Sequence, residues 1–169
     1  KKYELTTETL QFAGRTLHRI KALRDFGSVK AGELGGWIES EENLSQDDNA
    51  WIYSEAMVFD NAKVFGNARV FGNAKILGSA HIFGNAKVFD SARVYYYARV
   101  YGDAIVHNDA IVCDNAIVSD NAIVSDNAIV SEYAEVCENA TVYGLTRIFG
   151  NAKIFGNATI KGNAKVHDA

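Results

Sequence analysis

From residue 50 onward, apolar and polar residues alternate with a period of six. Each hexad reads A-x-V-x followed by two mostly polar residues, and Ile replaces Val in several hexads. Residues 50–169 divide into twenty such hexads without an insertion or a gap, and Thr146 is the one first position that is not Ala. Because side chains of a strand point alternately to its two faces, the Ala and the Val or Ile point to the same side. Each hexad therefore predicts a short strand that buries these two residues.

The last two residues of each hexad predict a corner. Most corners hold Gly, Asp or Asn followed by Asn or Ser, as in Gly66-Asn67 and Asp114-Asn115, and these residue types accept left-handed backbone angles. Three hexads make one triangular coil, so residues 18 apart stack at the strand spacing of about 4.8 Å. An α-helix is excluded because Gly-Asn at this period would break it. The sequence predicts an all-β fold of between six and seven stacked parallel coils.

The hexads resemble a known repeat. Val or Ile with Ala four residues later is similar to the hexapeptide repeat of left-handed β-helix proteins, many of which are acyltransferases. The resemblance covers residues 50–169. It implies a left-handed parallel β-helix, that is, a hexapeptide-repeat solenoid.

Residues 1–49 do not repeat, and we expect them to form an N-terminal cap. Residues 3–12 and 16–23 alternate as strands around residues 13–15, which indicates a β-hairpin. The end coil of a β-helix exposes unpaired backbone groups, which a cap would cover. The array ends at His167-Asp168-Ala169 without such a segment, so we expect the chain to continue or this end to pair with another copy.

The N-terminal segment resembles that of YdcK-like proteins from enterobacteria and phages. The shared motifs are Tyr3-Glu4-Leu5-Thr6, Gly14-Arg15-Thr16-Leu17, Asp25-Phe26-Gly27 and Leu34-Gly35-Gly36-Trp37. Members of that family are called transferases because of their fold, and a fold implies no particular activity.

Both x positions of A-x-V-x are expected to face solvent. Before residue 102 the first x is usually basic and the second usually aromatic, so rings such as Phe65, Phe83 and Tyr101 should stack into a ladder. Basic residues interleaved with rings are also typical of single-strand nucleic-acid binding. Because the pattern wraps all three faces, we favour ladders that brace neighbouring coils, and we do not expect direct nucleic-acid binding.

The stretch from residue 100 to 146 contains no Lys or Arg. Isoleucines take the first x position there, and acids lie at the corners. We name this set the acidic-isoleucine belt: Ile105, Ile111, Ile117, Ile123, Ile129, Asp114, Asp120, Asp126, Glu132 and Glu138. Outward isoleucines bordered by acids predict a protein interface, since such apolar surface is seldom left bare. Large first-x and small second-x residues would equally preserve the bulk of each ladder.

One corner holds tyrosines in place of the usual turn residues. Tyr97 and Tyr133 lie two coils apart on the same predicted edge. Exposed tyrosines are frequent binding anchors, although variation within the repeat explains them equally well.

The histidines and cysteines predict no metal, cofactor or nucleophile. His18, His81, His107 and His167 lack the spacing of a metal site. Cys113 and Cys137 lie on neighbouring faces, so we expect no disulfide. If the chain were an acyltransferase acting at a trimer interface, His107 would be the strongest candidate among these histidines for the catalytic base.

Composition and charge bear on the cellular location of the protein. The net charge is −4, there are two cysteines, and no apolar stretch reaches the ~18 residues of a membrane span. With no signal peptide visible, we expect a cytoplasmic protein without membrane association.

The sequence therefore favours a non-catalytic interaction protein with a protein partner, or with itself as a dimer or trimer. One specific version is a phage-encoded inhibitor that docks on a basic surface of a host protein. The alternative is the hexapeptide-repeat acyltransferase.

Overall fold

The computed structural model describes residues 1–168 and consists of short stacked strands with one 3-10 turn at Glu41–Asn43. Ala169, the last residue of the predicted array, lies outside the described residues. The strands are β1 (Tyr3–Phe12), β2 (Arg15–Ala22), β3 (Leu34–Ile38), β4 (Trp51–Ile52), β5 (Met57–Val58), β6 (Lys63–Val64), β7 (Arg69–Val70), β8 (Lys75–Ile76), β9 (His81–Ile82), β10 (Lys87–Val88), β11 (Arg93–Val94), β12 (Arg99–Val100), β13 (Ile105–Val106), β14 (Ile111–Val112), β15 (Ile117–Val118), β16 (Ile123–Val124), β17 (Ile129–Val130), β18 (Glu135–Val136), β19 (Thr141–Val142), β20 (Arg147–Gly150), β21 (Lys153–Ile154), β22 (Thr159–Ile160) and β23 (Lys165–Asp168).

Three sheets form the faces of a parallel β-solenoid. Face 1 has the order β1-β2-β3-β5-β8-β11-β14-β17-β20-β23, face 2 runs from β4 to β22, and face 3 runs from β6 to β21. Parallel partners in the array are 18 residues apart, as in Lys87 with Ile105. The predicted all-β parallel solenoid is confirmed, and its left-handed sense stays a prediction. Within residues 1–168, the structure has no helix of the length and apolar character that crossing a bilayer requires.

The core is one continuous apolar column. Ala104 and Val106 are fully buried, as are the corresponding residues of nearly every hexad. Burying a Val side chain contributes about 1.5–3 kcal/mol, so the repeated pair supplies most of the driving force for stacking. Thr146, the exception to the Ala rule, is also buried and donates its hydroxyl hydrogen bond to the carbonyl of Tyr143 at 2.7 Å.

The predicted hairpin is present and extends face 1. Strands β1 and β2 pair antiparallel, β2 pairs with β3, and β3 stacks in parallel on β5. Lys2 pins this segment to the first hexad, because its buried Nζ donates to the carbonyls of Ala50 at 2.7 Å and Asp48 at 2.9 Å. Burial lowers the pKa of Lys2 to about 8, against the opposing effect of the Asp48 carboxylate.

Backbone hydrogen bonds join the coils at three positions of each hexad. The N–H groups of Lys87, Phe89 and Ser91, which are second, fourth and sixth residues, each donate to a carbonyl of the next coil at 3.0 Å. The fifth residue has a left-handed φ, for example 71° at Gly66 and 58° at Asp114. Only Gly adopts this conformation without cost, and Asp or Asn adopts it with a small one.

Acidic fifth residues supply an acceptor for the fifth N–H one coil later. The carboxylate-to-N–H pairs are Asp60–Gly78 (3.1 Å), Asp90–Asn108 (3.1 Å), Asp114–Glu132 (2.9 Å), Asp120–Glu138 (2.9 Å), Asp126–Gly144 (3.1 Å), Glu132–Gly150 (2.8 Å) and Glu138–Gly156 (2.7 Å). Hydrogen bonds to a charged acceptor are stronger than neutral ones. The corner acids therefore stabilise the solenoid itself.

Replacing Asp120 by Ala is expected to lower the free energy of unfolding by about 2 kcal/mol. The Glu138 N–H loses its acceptor at 2.9 Å, and Ala fits a φ of 56° poorly. Asp120→Asn keeps an oxygen acceptor and should lose less than about 1 kcal/mol. Urea denaturation measures both. The control is Asp103→Ala, since Asp103 is an exposed sixth residue that accepts only the Asn85 side chain; an equal loss there would contradict this role of the fifth-position acids.

Candidate functional site

The acids of the acidic-isoleucine belt lie on all three corners of the prism. Asp114 and Glu132 share the corner between faces 1 and 3, Asp120 and Glu138 share the corner between faces 3 and 2, and Asp126 lies on the remaining corner. Each carboxylate has one oxygen bound to a backbone N–H. The second oxygen of Asp126 accepts the Asn108 side-chain amide at 2.8 Å, whereas the second oxygen of the other four acids remains for an outside contact. The belt acids therefore have a structural role in the solenoid in addition to their charge at the surface.

The five isoleucines of the belt are also distributed around the prism. Ile111 and Ile129 pair on face 1, Ile105 and Ile123 pair on face 2, and Ile117 lies on face 3. All five are half-buried. Because three faces carry them, one flat partner surface cannot contact the whole belt.

The expectation that both x positions face solvent is wrong for several second-x residues. Phe59, Cys113, Ser119 and Ser125 are buried, at 2–8% exposure. Burial raises the pKa of the Cys113 thiol and of the Cys137 thiol, so neither is an activated nucleophile. Both cysteines are free in this structure.

The aromatic ladders are confirmed. Phe65 stacks on Phe83 with centroids 4.9 Å apart and planes 3° apart, and Phe83 stacks on Tyr101 at 4.8 Å and 8°. The ring faces are therefore occupied by one another, and ring edges face outward. Proteins that bind single-stranded nucleic acids stack the bases on exposed ring faces. Because the ring faces here are already occupied, this arrangement supports the interpretation that the ladders brace neighbouring coils.

The histidines lie apart from one another. His107 Nδ1 is 3.5 Å from Asp90 Oδ2, and the ring stacks on Phe89 at 4.9 Å. Burial lowers the pKa of His81, and the charges of Arg99 and Lys63 lower it further. His167 stacks on Phe149, and His18 lies in β2. Among the described residues, no group of three His, Cys, Asp or Glu side chains could hold a metal ion.

One corner brings several predicted binding residues together. Tyr97, Tyr133, Asp114 and Glu132 line a depression of about 360 Å³ between faces 1 and 3, joined by Tyr96 and Asn115. We name these six residues the tyrosine corner. They are the fifth and sixth residues of three stacked hexads, so their backbones are held in register by the coil-to-coil hydrogen bonds, such as Tyr97 N–H to Asp114 O at 2.8 Å.

The tyrosines of this corner are highly exposed. Tyr97 is 65% exposed, Tyr133 is 64% exposed and Tyr96 is 57% exposed. Unlike Phe65 or Phe83, they do not form the ladder stacks that run along the faces. Large apolar rings held in water at a fixed corner are typical of a binding surface.

Tyr96 is a functional candidate that the sequence reasoning left out of the site. It is a fifth residue with a φ of 56°, a conformation that costs a residue with a side chain roughly 1–2 kcal/mol. A corner acid recovers part of this cost through its carboxylate, which a tyrosine lacks. Retained strain of this kind clusters at functional sites. The signal in the sequence was an aromatic residue where other corners hold Gly, Asp, Asn, Ser or Glu.

The corner is negatively charged and contains no cation of its own. Asp114 and Glu132 each bind a backbone N–H through one oxygen. Within residues 1–168 no Lys or Arg forms an ion pair with either carboxylate. Rings and unpaired carboxylates together favour a positively charged ligand.

Part of the chain is similar to known solenoid proteins. A family model described as YdcK Beta solenoid repeat matches residues 98–114, 112–126 and 116–132, which include part of the tyrosine corner. The protein named Uncharacterized acetyltransferase YdcK from Escherichia coli (strain K12) is 38% identical over 63 residues, which cover 32% of this chain and 19% of that protein. The chain thus matches about a fifth of the length of this relative. Together with the stacked parallel coils, these matches show that the chain is a β-solenoid whose middle coils are similar to the YdcK repeat.

Proposed function

We propose that this chain is a non-catalytic binding protein that docks on a positively charged segment of a partner protein. The observation that carries the proposal is the tyrosine corner, where three exposed tyrosines and two carboxylates line one depression. Aromatic rings supply large contact area, and the acids select for positive charge. The absence of Lys and Arg from residues 101–146 strengthens the negative potential around this corner.

The scaffold suits such a role because the site is built before binding. Each corner residue is fixed by a backbone hydrogen bond to an adjacent coil, for example Tyr133 N–H to Gly150 O at 2.9 Å. A preorganised surface loses little conformational entropy when a partner docks, so more of the contact energy is available as affinity.

The first experiment is a pull-down from bacterial lysate with the wild-type chain and the double variant Tyr97→Asn/Tyr133→Asn. Asn is the usual sixth residue of a hexad, so the variant should fold while losing both exposed rings. We expect a stoichiometric partner that binds the wild type, is lost from the double variant, and binds less tightly as salt screens the charges.

The matched control is Tyr143→Ser. Tyr143 is a second-x residue outside the corner, and Ser125 occupies the same ladder one coil earlier. This variant should retain the partner. A partner that stays bound to the double variant, or whose binding ignores salt, would refute docking at the tyrosine corner. Lys replacements of Asp114, Asp120 and Asp126 are a poorer test, because they also remove acceptors of backbone N–H groups.

Tyr96→Gly should separate stability from binding. Gly accepts a φ of 56° freely, so the free energy of unfolding is expected to rise by about 1 kcal/mol, while partner binding weakens because one ring is lost. Urea denaturation and the pull-down measure the two effects. Glu132→Gly is the control, since its φ is also 56° but its carboxylate accepts the Gly150 N–H at 2.8 Å. That variant should not gain stability; a gain equal to that of Tyr96→Gly would show that φ alone sets the effect.

A second candidate function is acyl transfer. Two observations favour it: the name of the Escherichia coli relative, and the 3.5 Å approach of His107 Nδ1 to a carboxylate, which is how a general base is oriented. Turnover of acetyl-CoA that disappears in His107→Ala would establish this activity in place of the binding role. The narrower expectations stay predictions: a phage-encoded inhibitor, a dimer or trimer, and a cytoplasmic location.

A further inference from the structure

The spacing of the two most exposed tyrosines defines a gap of measurable width. Tyr97 and Tyr133 are both sixth residues of their hexads and lie two coils apart, with Asn115 between them. At about 4.8 Å per coil, their backbone attachment points are about 9.6 Å apart. Asn115 is short, so the space between the rings forms part of the depression.

We infer that the tyrosine corner is an aromatic cage for an alkylated ammonium group, the side chain of a methylated lysine in the partner protein. This inference rests on the proposed function for the kind of partner, and on the geometry of the corner for the group that is recognised. A cation midway between the two backbone attachment points lies about 4.8 Å from each column, so rings turned towards it come within the ~6 Å over which a ring attracts a cation.

The width of the gap distinguishes a rounded group from a flat one. Carbon atoms in contact lie about 3.5–4 Å apart, so a flat group between two rings needs about 7–8 Å from ring to ring. In the ladder of Phe65, Phe83 and Tyr101 every coil contributes a ring. At the tyrosine corner the coil between Tyr97 and Tyr133 contributes the short Asn115, so the two rings are separated by two coil spacings. A methylated ammonium group is thicker than a ring and fills the wider gap.

The charge of the corner distinguishes a cation from a neutral apolar group. Asp114 and Glu132 both line the depression, and each has one oxygen that is not used by a backbone N–H. A neutral group of the same shape would desolvate these carboxylates without compensation. Tyr96 supplies the third ring of the depression, and this ring is held in place by an edge-on contact with Tyr95 at 4.9 Å between centroids.

The test is a calorimetric or NMR titration of the intact chain with the N-acetyl amide of trimethyllysine. The neutral comparison is its isostere in which a tert-butyl carbon replaces the charged nitrogen. We expect saturable binding of the cation and at least about tenfold weaker binding of the isostere. No binding of the cation, or equal binding of both probes, would overturn the cage.

Variants at one ring separate the π contribution from simple apolar contact. Tyr97→Phe keeps the ring and should keep the affinity, whereas Tyr97→Leu should weaken it about fivefold. Leu145 is itself a sixth residue, so the repeat accepts Leu at this position. Tyr143→Leu is the control outside the corner and should bind as the wild type. Unchanged affinity in Tyr97→Leu would also overturn the cage.

The two proposals fail in different ways. A lysate partner that depends on Tyr97 and Tyr133, together with no binding of trimethyllysine, would refute the cage and leave the docking function standing. Binding of the probe without any partner would support the cage and count against protein docking.

Discussion

The structure depends on one constraint, namely that every residue of the array must lie over the residue 18 positions away. The constraint is enforced twice in each hexad, by a buried Ala and Val pair inside and by backbone hydrogen bonds from the second, fourth and sixth residues between coils. A single inserted residue would move every later side chain to another column. The unbroken hexads and the straight columns of rings, acids and amides are consequences of this register.

The corners show how the register assigns two roles to one side chain. The fifth residue turns the chain with a positive φ, and its N–H needs an acceptor that the strand ladder does not provide. An acid one coil earlier supplies that acceptor with one oxygen, and at Asp114 and Glu132 the other oxygen remains for solvent or a partner. The acidity of the middle coils therefore has a structural origin, and only its combination with exposed rings distinguishes a site.

The rings of the tyrosine corner differ from those of the rest of the surface in their packing. Elsewhere the rings stack on one another and their faces are occupied, as in Phe71 on Phe89 at 4.5 Å. At the tyrosine corner Tyr97 and Tyr133 are 65% and 64% exposed, Tyr96 adopts a strained φ, and no Lys or Arg of residues 1–168 pairs with the carboxylates. Each feature costs stability by itself, so their occurrence together is better explained by recognition than by folding.

The sequence by itself determined the period, the buried Ala and Val columns, the turning positions, the N-terminal hairpin and the Phe65, Phe83 and Tyr101 ladder. A strict six-residue repeat leaves no freedom in which residues stack, because strand alternation and coil length are both fixed by the backbone. The belt could likewise be read from the absence of Lys and Arg in residues 101–146.

Only the tertiary structure decided which surface residues act together. It buried Cys113 and Ser119, two second-x residues that strand alternation alone places on the outer side. It also gave the belt acids their backbone partners, and it showed that the edge predicted for Tyr97 and Tyr133 forms a depression that Tyr96 joins. The repeat fixes the column of a side chain, but its exposure and its partners depend on the sizes and charges of residues 18 and 36 positions away, which are brought into contact only when the coils stack.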